Sequence, residues 1–184
     1  MECCGPKEKP TGRSYEKVIL IGNPNVGKSV IFNYLTGKYV TVSNYPGTTV
    51  EIATGMTKAR GKRLQVVDTP GVNSLTPMSE DERVTRDILL NERQEHLVQV
   101  IDAKNLRRGL LISLQLIEMG LPFLILLNMW DEAKSRGIEI QTQTLSRILG
   151  TPVLKTVATR RKGLEKIKES LPIQPPSSPS VLYP

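Results

Sequence analysis

The sequence predicts an α/β domain built on a mostly parallel, six-stranded sheet with helices on both faces. Two patterns indicate this class. Short apolar stretches alternate along the chain with segments of helical periodicity, as in repeated strand-helix-strand units. Glycine-rich or acidic motifs also follow several of the apolar stretches directly. Because ligands in such folds bind outside the carboxyl ends of the strands, we expect these motifs to meet at one edge of the sheet.

The individual elements follow from local signals. Stretches rich in Val, Ile and Leu predict strands at residues 17–21, 50–54, 64–67, 96–101, 122–127 and 152–156. Helices are predicted at residues 30–36, 79–91, 106–119 and 163–171, with polar helical turns before residue 149. Gly37 and Gly120 end two of these helices, and Ser79 caps a helix whose first turn is acidic. Residues 38–49 form a polar segment with its own Pro-Gly turn.

Length and composition predict one domain with a tail at each end. The chain has 184 residues, and we place the domain at residues 15–172. Residues 1–14 lack periodicity and predict a mobile arm, whereas residues 173–184 are rich in Pro and Ser and predict a linker cut from a longer protein. The longest apolar run, residues 121–127, is far shorter than the roughly 20 residues of a membrane-spanning helix. Without a signal-like N-terminus, we expect a cytoplasmic domain.

Charge and cysteine content leave several interpretations open. The net charge of +7 is concentrated partly at residues 58–63, 107–108 and 160–162. Such groups suit RNA or an anionic membrane surface, although solvated loop charge is the commoner explanation. Cys3 and Cys4 are neighbours in the N-terminal arm, where they serve either as thiolate metal ligands or, more commonly, as free thiols.

The most informative motif is GNPNVGKS at residues 22–29, which matches the phosphate-binding P-loop and lies between a predicted strand and helix. Its glycines allow a tight turn whose N–H groups point at one anion. Lys28 should reach the β- and γ-phosphates, and the Ser29 hydroxyl should bind Mg²⁺. We assign nucleotide contacts to Gly22, Asn23, Pro24, Asn25, Val26, Gly27, Lys28, Ser29 and Val30.

Two further segments are predicted to sense the third phosphate. Asp68 ends a strand and can hold Mg²⁺ through its water shell, while the Gly71 N–H can meet the γ-phosphate. Thr49 is the candidate switch ligand to Mg²⁺, with Thr48 as the alternative one residue away. The nucleotide contacts predicted here are Gly47, Thr48, Thr49, Asp68, Thr69, Pro70 and Gly71.

The motif Asn128-Met129-Trp130-Asp131 predicts guanine recognition. The Asp131 carboxylate can accept hydrogen bonds from N1–H and the exocyclic amine of guanine, which adenine does not offer. The sequence therefore favours GTP over ATP. Asn128 and Met129 belong to the same predicted contact set, as does the later loop of Val157, Ala158 and Thr159, where the Ala158 N–H is expected to donate to the guanine carbonyl oxygen.

These motifs together resemble the signatures of the translation-factor-related GTPases, which have a Ras-like fold. The sequence between them resembles the cytoplasmic G domain of the ferrous iron transport protein B family. The segments that carry the resemblance are GNPNVGKS at 22–29, SNYPGTTVE at 43–51, DTPGVNSL at 68–75, SEDERVTRD at 79–87, NMWDEAKSRG at 128–137 and LGTPV at 149–153. One departure from the general GTPase pattern is Met129, which replaces the lysine of the usual Asn-Lys-x-Asp loop.

The resemblance implies a Mg²⁺-dependent GTPase that cycles between GTP and GDP. Lys28, Thr49, Gly71 and Asn25 are the expected catalytic residues, and Asn25 matches an asparagine that holds K⁺ in related potassium-responsive GTPases. Its alternative role is a hydrogen bond that shapes the loop. Val72 occupies the place of the glutamine that orients water in Ras-like enzymes, so we expect slow hydrolysis.

The resemblance also implies a regulatory domain on the cytoplasmic side of the inner membrane, joined to a membrane-embedded Fe²⁺-transporting domain of the same polypeptide. Nucleic acid is not the expected partner, and the oligomeric state, a homo-oligomer included, is left open by the sequence. The main alternative is a soluble RNA- or ribosome-binding assembly GTPase, which the net charge favours. A non-enzymatic, nucleotide-gated interaction module is the third class.

Overall fold

The structure, a computed structural model, describes residues 15–37, 40–91 and 96–171. Seven strands form one sheet: β1 Glu16–Gly22, β2 Val40–Asn44, β3 Glu51–Ala59, β4 Lys62–Asp68, β5 His96–Asp102, β6 Phe123–Asn128 and β7 Val153–Lys155. Six α-helices are present within these ranges: α1 Lys28–Thr36, α2 Glu80–Asn91, α3 Leu106–Glu118, α4 Trp130–Ser135, α5 Thr142–Leu149 and α6 Glu165–Glu169. The predicted arm, the linker and the roles considered for Cys3 and Cys4 lie outside the described residues. No helix within these ranges is long and apolar enough to span a membrane.

The strand order is β2-β3-β4-β1-β5-β6-β7, and every pairing from β4 to β7 is parallel. Only β2 with β3 and β3 with β4 pair in the antiparallel sense. The predicted mostly parallel α/β architecture is thus confirmed. It places β1, the strand that leads into the P-loop, at the centre of the sheet between β4 and β5.

The predicted number of six strands is wrong, because the segment predicted as a polar loop contains β2. Every residue of β2 is exposed, and the strand is held at the sheet edge by its antiparallel register with β3, in which Val42 lies opposite Ala53. A strand with no buried face lacks the apolar pattern on which the sequence prediction depends. The β3–β4 hairpin is also longer than predicted, since the pairing continues outward to Ala59 and Lys62.

The sheet has a separate hydrophobic core on each face. Along β1, Val18 and Leu20 join the core beneath α1 and α6, whereas Ile19 and Ile21 join the core that includes residues of α2 and α3. This alternation follows from the two-residue period of a strand. The buried face of α3 supplies Ile112 and Leu116. Because both faces of the sheet are packed, the central strands have defined positions, and the loops that follow them therefore start from defined points.

The register brings the predicted motifs to one edge. Leu20 of β1 lies opposite Asp68 of β4, and Asp102 of β5 lies opposite Asn128 of β6. The P-loop, the turn after Asp68 and the Asn128 loop consequently leave the sheet side by side, although about a hundred residues separate the first from the last in the sequence.

Candidate nucleotide site at the carboxyl edge of the sheet

A cleft of about 620 Å³ opens at this edge. Most of the predicted motif residues line it, together with two acidic residues that were not predicted. The lining comprises Asn23, Pro24, Asn25, Gly27, Lys28, Ser29, Val30, Gly71, Asp81, Asn128, Met129, Asp131, Glu132, Val157, Ala158 and Thr159. A volume of this size is within the range of cofactor-binding clefts.

The P-loop backbone has a conformation that only particular residues tolerate. Asn25 (φ 63°) and Gly27 (φ 86°) are left-handed, and backbone that alternates in this way is typical of anion-binding turns, in which successive N–H groups point at one anion. A Cβ atom on Gly27 would lie 2.4 Å from Nδ2 of Asn128, and one on Gly22 would lie 2.3 Å from the Val100 carbonyl oxygen. Close packing therefore requires both glycines, and at Gly27 the backbone geometry requires one as well.

A cation, a carboxylate and a hydroxyl converge at the start of α1. The Lys28 side chain is buried, and its ammonium donates to Oδ1 of Asp68 and to the Thr69 carbonyl oxygen. The Ser29 hydroxyl donates to Oδ2 of the same carboxylate at 2.8 Å. Asp68 is thus shared between the predicted phosphate-binding lysine and the predicted Mg²⁺-binding serine. These three side chains form one polar cluster that the strand register alone would not specify.

The segment after β4, residues 69–72, packs against the P-loop and is hydrogen-bonded to the end of β1. Thr69 donates its hydroxyl to the Leu20 carbonyl at 2.9 Å, and a Cβ atom on Gly71 would lie 2.9 Å from Cα of Pro24. Val72 is only 1% exposed and packs in the core, while its N–H donates to the Gly22 carbonyl at 3.0 Å. The residue after the glycine of this motif therefore contributes to folding and presents no polar side chain to the cleft.

Asn128 connects the base-recognition loop to both neighbouring loops. Its Nδ2 donates to the Val26 carbonyl oxygen at 2.9 Å, and its Oδ1 accepts the Ala158 N–H, also at 2.9 Å. The Ala158 N–H, predicted to serve the guanine carbonyl, is therefore already engaged and can reach a base only as a shared donor. Asp131 keeps a third of its side chain exposed, and its Oδ2 lies 3.7 Å from Nη1 of Arg160.

The predicted switch threonines do not line the cleft. The Thr49 hydroxyl donates to Oε2 of Glu80 at 3.3 Å, and the Thr48 hydroxyl donates to the Tyr45 carbonyl at 3.0 Å. Gly47 lies in the same turn, with φ of 77°. Their contact with Mg²⁺ or nucleotide stays a prediction. Five other predicted contacts, Gly22, Val26, Asp68, Thr69 and Pro70, are not among the lining residues.

Asp81 and Glu132 also line the cleft, and neither was predicted from the sequence. Asp81 lies in the acidic first turn of α2, where the pattern of Ser79 followed by acids is fully explained by helix capping. Glu132 directly follows Asp131, and no motif distinguishes the two carboxylates. The only sequence signal for either residue is its closeness to a motif that was recognised.

Comparison with known proteins decides the family. The family model described as ferrous iron transport protein B matches residues 16–171. The Fe(2+) transporter FeoB of Escherichia coli strain K12 is 42% identical over 153 residues, which cover 81% of this chain and 20% of the relative. The chain belongs to the ferrous iron transport protein B family. The resemblance inferred from the motifs is thereby confirmed, and this chain spans about a fifth of the length of that relative.

Solved structures of FeoB proteins share the fold. A GDP-bound mutant of S. thermophilus NFeoB is 40% identical with a TM-score of 0.80, covering 85% of this chain and 61% of that one. The FeoB G domain from Methanococcus jannaschii is 43% identical with a TM-score of 0.75, covering 85% and 94% of the respective chains. The family likeness therefore extends from the sequence motifs to the fold of most of the chain.

Glu82 anchors the loop that leads from the cleft to α2. Its buried carboxylate accepts the Met78 N–H at 2.9 Å and the Asn73 N–H at 3.4 Å. The Met78 bond is the main cause that lowers the pKa of Glu82 below its ordinary value of 4.5, and the Asn73 bond acts in the same direction. Because the folded state favours the ionised form, this group stabilises the fold above pH 4.5, and the contribution disappears as pH falls through the lowered pKa.

We expect Glu82→Gln to lower the free energy of unfolding by about 1–2 kcal/mol at pH 7, because a charged acceptor of backbone N–H groups becomes neutral. The difference between parent and variant should shrink below pH 4.5. Chemical denaturation at several pH values measures both effects. Glu165→Gln, an exposed site on α6, is the matched control. A difference between parent and Glu82→Gln that does not shrink as the carboxylate is protonated would contradict this role.

Proposed function

We propose that this chain is a GTP-binding, slowly GTP-hydrolysing regulatory domain of a ferrous iron transporter. The observation that carries the proposal is the convergence of the P-loop, Gly71 of the turn after Asp68, and the Asn128–Asp131 segment at one cleft, with Asn128 bonded to the loops on both sides. A phosphate site and a guanine-type base site in one cleft suit a nucleoside polyphosphate. GDP is bound in solved structures of related FeoB proteins, which supports the same ligand here.

The residues present fit a Mg²⁺ ion. Ser29 and Asp68 offer a hydroxyl and a carboxylate whose oxygens lie 2.8 Å apart, and Mg²⁺ prefers such hard oxygen donors. When bound, the ion would offset charge on the β- and γ-phosphates. Lys28 would bind the same phosphates from the P-loop side, with Asp68 and the Thr69 carbonyl orienting its ammonium.

The transporter context is proposed from the relatives. The relatives are named as Fe(2+) transporters, and the matched segment is a small part of their length. In this proposal a membrane-embedded domain belongs to the same polypeptide, and the G domain works on the cytoplasmic side of the inner membrane. Nucleotide-dependent rearrangement of residues 43–51 and of the segment after Asp68 would gate Fe²⁺ uptake.

Binding selectivity and turnover test the enzymatic part of the proposal. Titration calorimetry of the parent should show GDP and GTP binding with Mg²⁺ and much weaker ATP binding. Single-turnover hydrolysis should be slow, on the order of 10⁻⁴ to 10⁻³ s⁻¹, because Val72 is buried and no glutamine follows Gly71. Equal ATP and GTP affinities would refute the nucleotide assignment, and turnover of several per second would refute the slow mechanism.

We further propose that K⁺ stimulates hydrolysis through Asn25. This residue lines the cleft, and its amide makes no hydrogen bond to any other described residue, so the side chain is available to a cation beside the phosphates. Hydrolysis should be faster in KCl than in NaCl at equal ionic strength. The test variant is Asn25→Gly, since φ of 63° would strain an alanine there.

Asn25→Gly should abolish the difference in hydrolysis rate between KCl and NaCl, while GDP binding persists. Asn33→Ala, an exposed asparagine on α1, is the matched control and should keep the difference. Identical parent rates in KCl and NaCl would rule out the K⁺ role.

A further inference from the structure

Lys104 lies in the short 3₁₀ turn Ala103–Asn105 that follows β5, and no motif assigns it a role. Asp102, the last residue of β5, fixes this turn: its Oδ1 accepts the Lys104 N–H at 2.9 Å and its Oδ2 accepts Nδ2 of Asn105 at 2.8 Å. Because Asp102 pairs with Asn128 across β5 and β6, the turn lies beside the base-recognition loop. The register therefore places a lysine next to the residues that would meet the base.

The Lys104 ammonium contacts two residues that line the cleft, Met129 and Glu132. It lies 3.4 Å from Sδ of Met129, donates to the Glu132 carboxylate, and lies 3.9 Å from Oδ2 of Asp102. The side chain is only 14% exposed, which is uncommon for lysine. Met129 and Glu132 both line the cleft, whereas Lys104 does not. The cation is thus held against two residues of the base loop, the segment Asn128–Glu132 that runs from the end of β6 into the first turn of α4.

The base loop carries adjacent carboxylates, and guanine recognition requires only Asp131. An unpaired Glu132 would add negative charge to the cleft next to Asp131, and its repulsion of an anionic nucleotide would weaken binding. Pairing with Lys104 offsets the charge of Glu132 and fixes the position of its carboxylate. Met129 cannot compensate the charge of Glu132, because a thioether carries no charge.

We propose that Lys104 is a positioning residue of the base loop, supplying from the end of β5 the positive charge that a lysine at position 129 carries in related GTPases. It holds Met129 and Glu132 in place for the guanine base. The proposal rests on the proposed GTP-binding function and adds to it a residue on which nucleotide retention depends.

The first experiment measures dissociation of fluorescent GDP from the parent, Lys104→Met, Lys104→Arg and Lys134→Met. Lys134 is an exposed lysine on α4, so its variant makes the same charge change at a matched site. GDP should dissociate about five-fold faster from Lys104→Met and within about two-fold of the parent rate from Lys104→Arg and Lys134→Met. The difference for Lys104→Met should shrink at high salt, because it is electrostatic. Equal rates for Lys104→Met and Lys134→Met would overturn the proposal.

The second experiment places a lysine at position 129, with and without the lysine at position 104. Met129→Lys in the parent would place two ammonium groups close together, so GDP should leave no more slowly than from the parent. In the Lys104→Met background the same change should restore slow dissociation. An equal effect of Met129→Lys in both backgrounds would show that the two positions are independent and would overturn the proposal.

Glu132→Gln changes the other partner of the ion pair and tests the same contact if Lys104→Met does not fold. Removing this carboxylate lowers the negative charge that lines the cleft and leaves Lys104 with Asp102 as a carboxylate partner at 3.9 Å, so GDP should leave about two- to three-fold more slowly. Faster dissociation would overturn the proposal. A parent with no preference for GDP over ADP would overturn the proposed function as well, whereas a selective parent with unchanged Lys104→Met and Glu132→Gln rates would overturn only the role of Lys104.

Discussion

Replacing Lys28 with alanine is expected to abolish measurable GDP and GTP binding. The ammonium is buried at the base of the P-loop and is oriented by Asp68 and the Thr69 carbonyl. Its loss removes the cation that faces the phosphates, so affinity should fall at least about a hundred-fold. It also leaves the buried Asp68 carboxylate without its ion-pair partner, which typically lowers the stability of the fold by about 3–5 kcal/mol. Titration calorimetry with GDP and Mg²⁺ measures this loss.

Folding must be separated from binding in that experiment. Lys134→Ala changes the net charge equally at an exposed site of α4 and should bind like the parent. The double variant Lys28→Ala with Asp68→Asn removes the unpaired carboxylate and should recover part of the thermal stability without recovering binding. Less than about a ten-fold change in affinity for a folded Lys28→Ala domain would show that the loop does not bind phosphate as proposed.

Asp131→Asn is expected to reverse the base preference. The carboxylate lines the cleft, and its side chain is 33% exposed, so it is accessible to a base edge. Guanine offers two N–H donors to this carboxylate. In asparagine an NH₂ donor replaces one of the two acceptor oxygens, so one guanine donor faces another donor. GDP affinity should fall by a factor of about 10² or more, because polar groups of the base are left unpaired. Xanthosine diphosphate, which carries a carbonyl in place of the exocyclic amine, should gain affinity.

Arg160→Gln is the control for Asp131→Asn. It removes the partner that lies 3.7 Å from Asp131 but keeps the carboxylate. Because the arginine side chain is 66% exposed, the loss of this ion pair should change GDP affinity by less than about three-fold. Competition of GDP, xanthosine diphosphate and ADP against a fluorescent GDP measures all three preferences. An Asp131→Asn variant that keeps the parent order would disprove base reading by this residue.

Strands were predicted correctly where they are buried, because a buried strand appears in the sequence as a run of apolar residues. The apolar run predicted as a strand at residues 96–101 is found as β5, His96–Asp102, because both of its faces are covered. The edge strand β2 was missed since all its residues are exposed and backbone pairing with β3 alone defines it. The hairpin likewise extends through the charged pair Lys58 and Arg63, whose side chains carry no apolar signal.

The fold class, the family and the motif residues could be predicted from the sequence, because each motif is a run of neighbouring residues whose chemistry is visible in its order. Which other side chains join the motifs depends on the tertiary structure. Asp81 and Glu132 reach the cleft, Val72 turns into the core, and Lys104 meets Met129. The physical reason is that strand pairing and core packing bring together residues far apart in the chain, and no local pattern of residue types encodes which of them will touch.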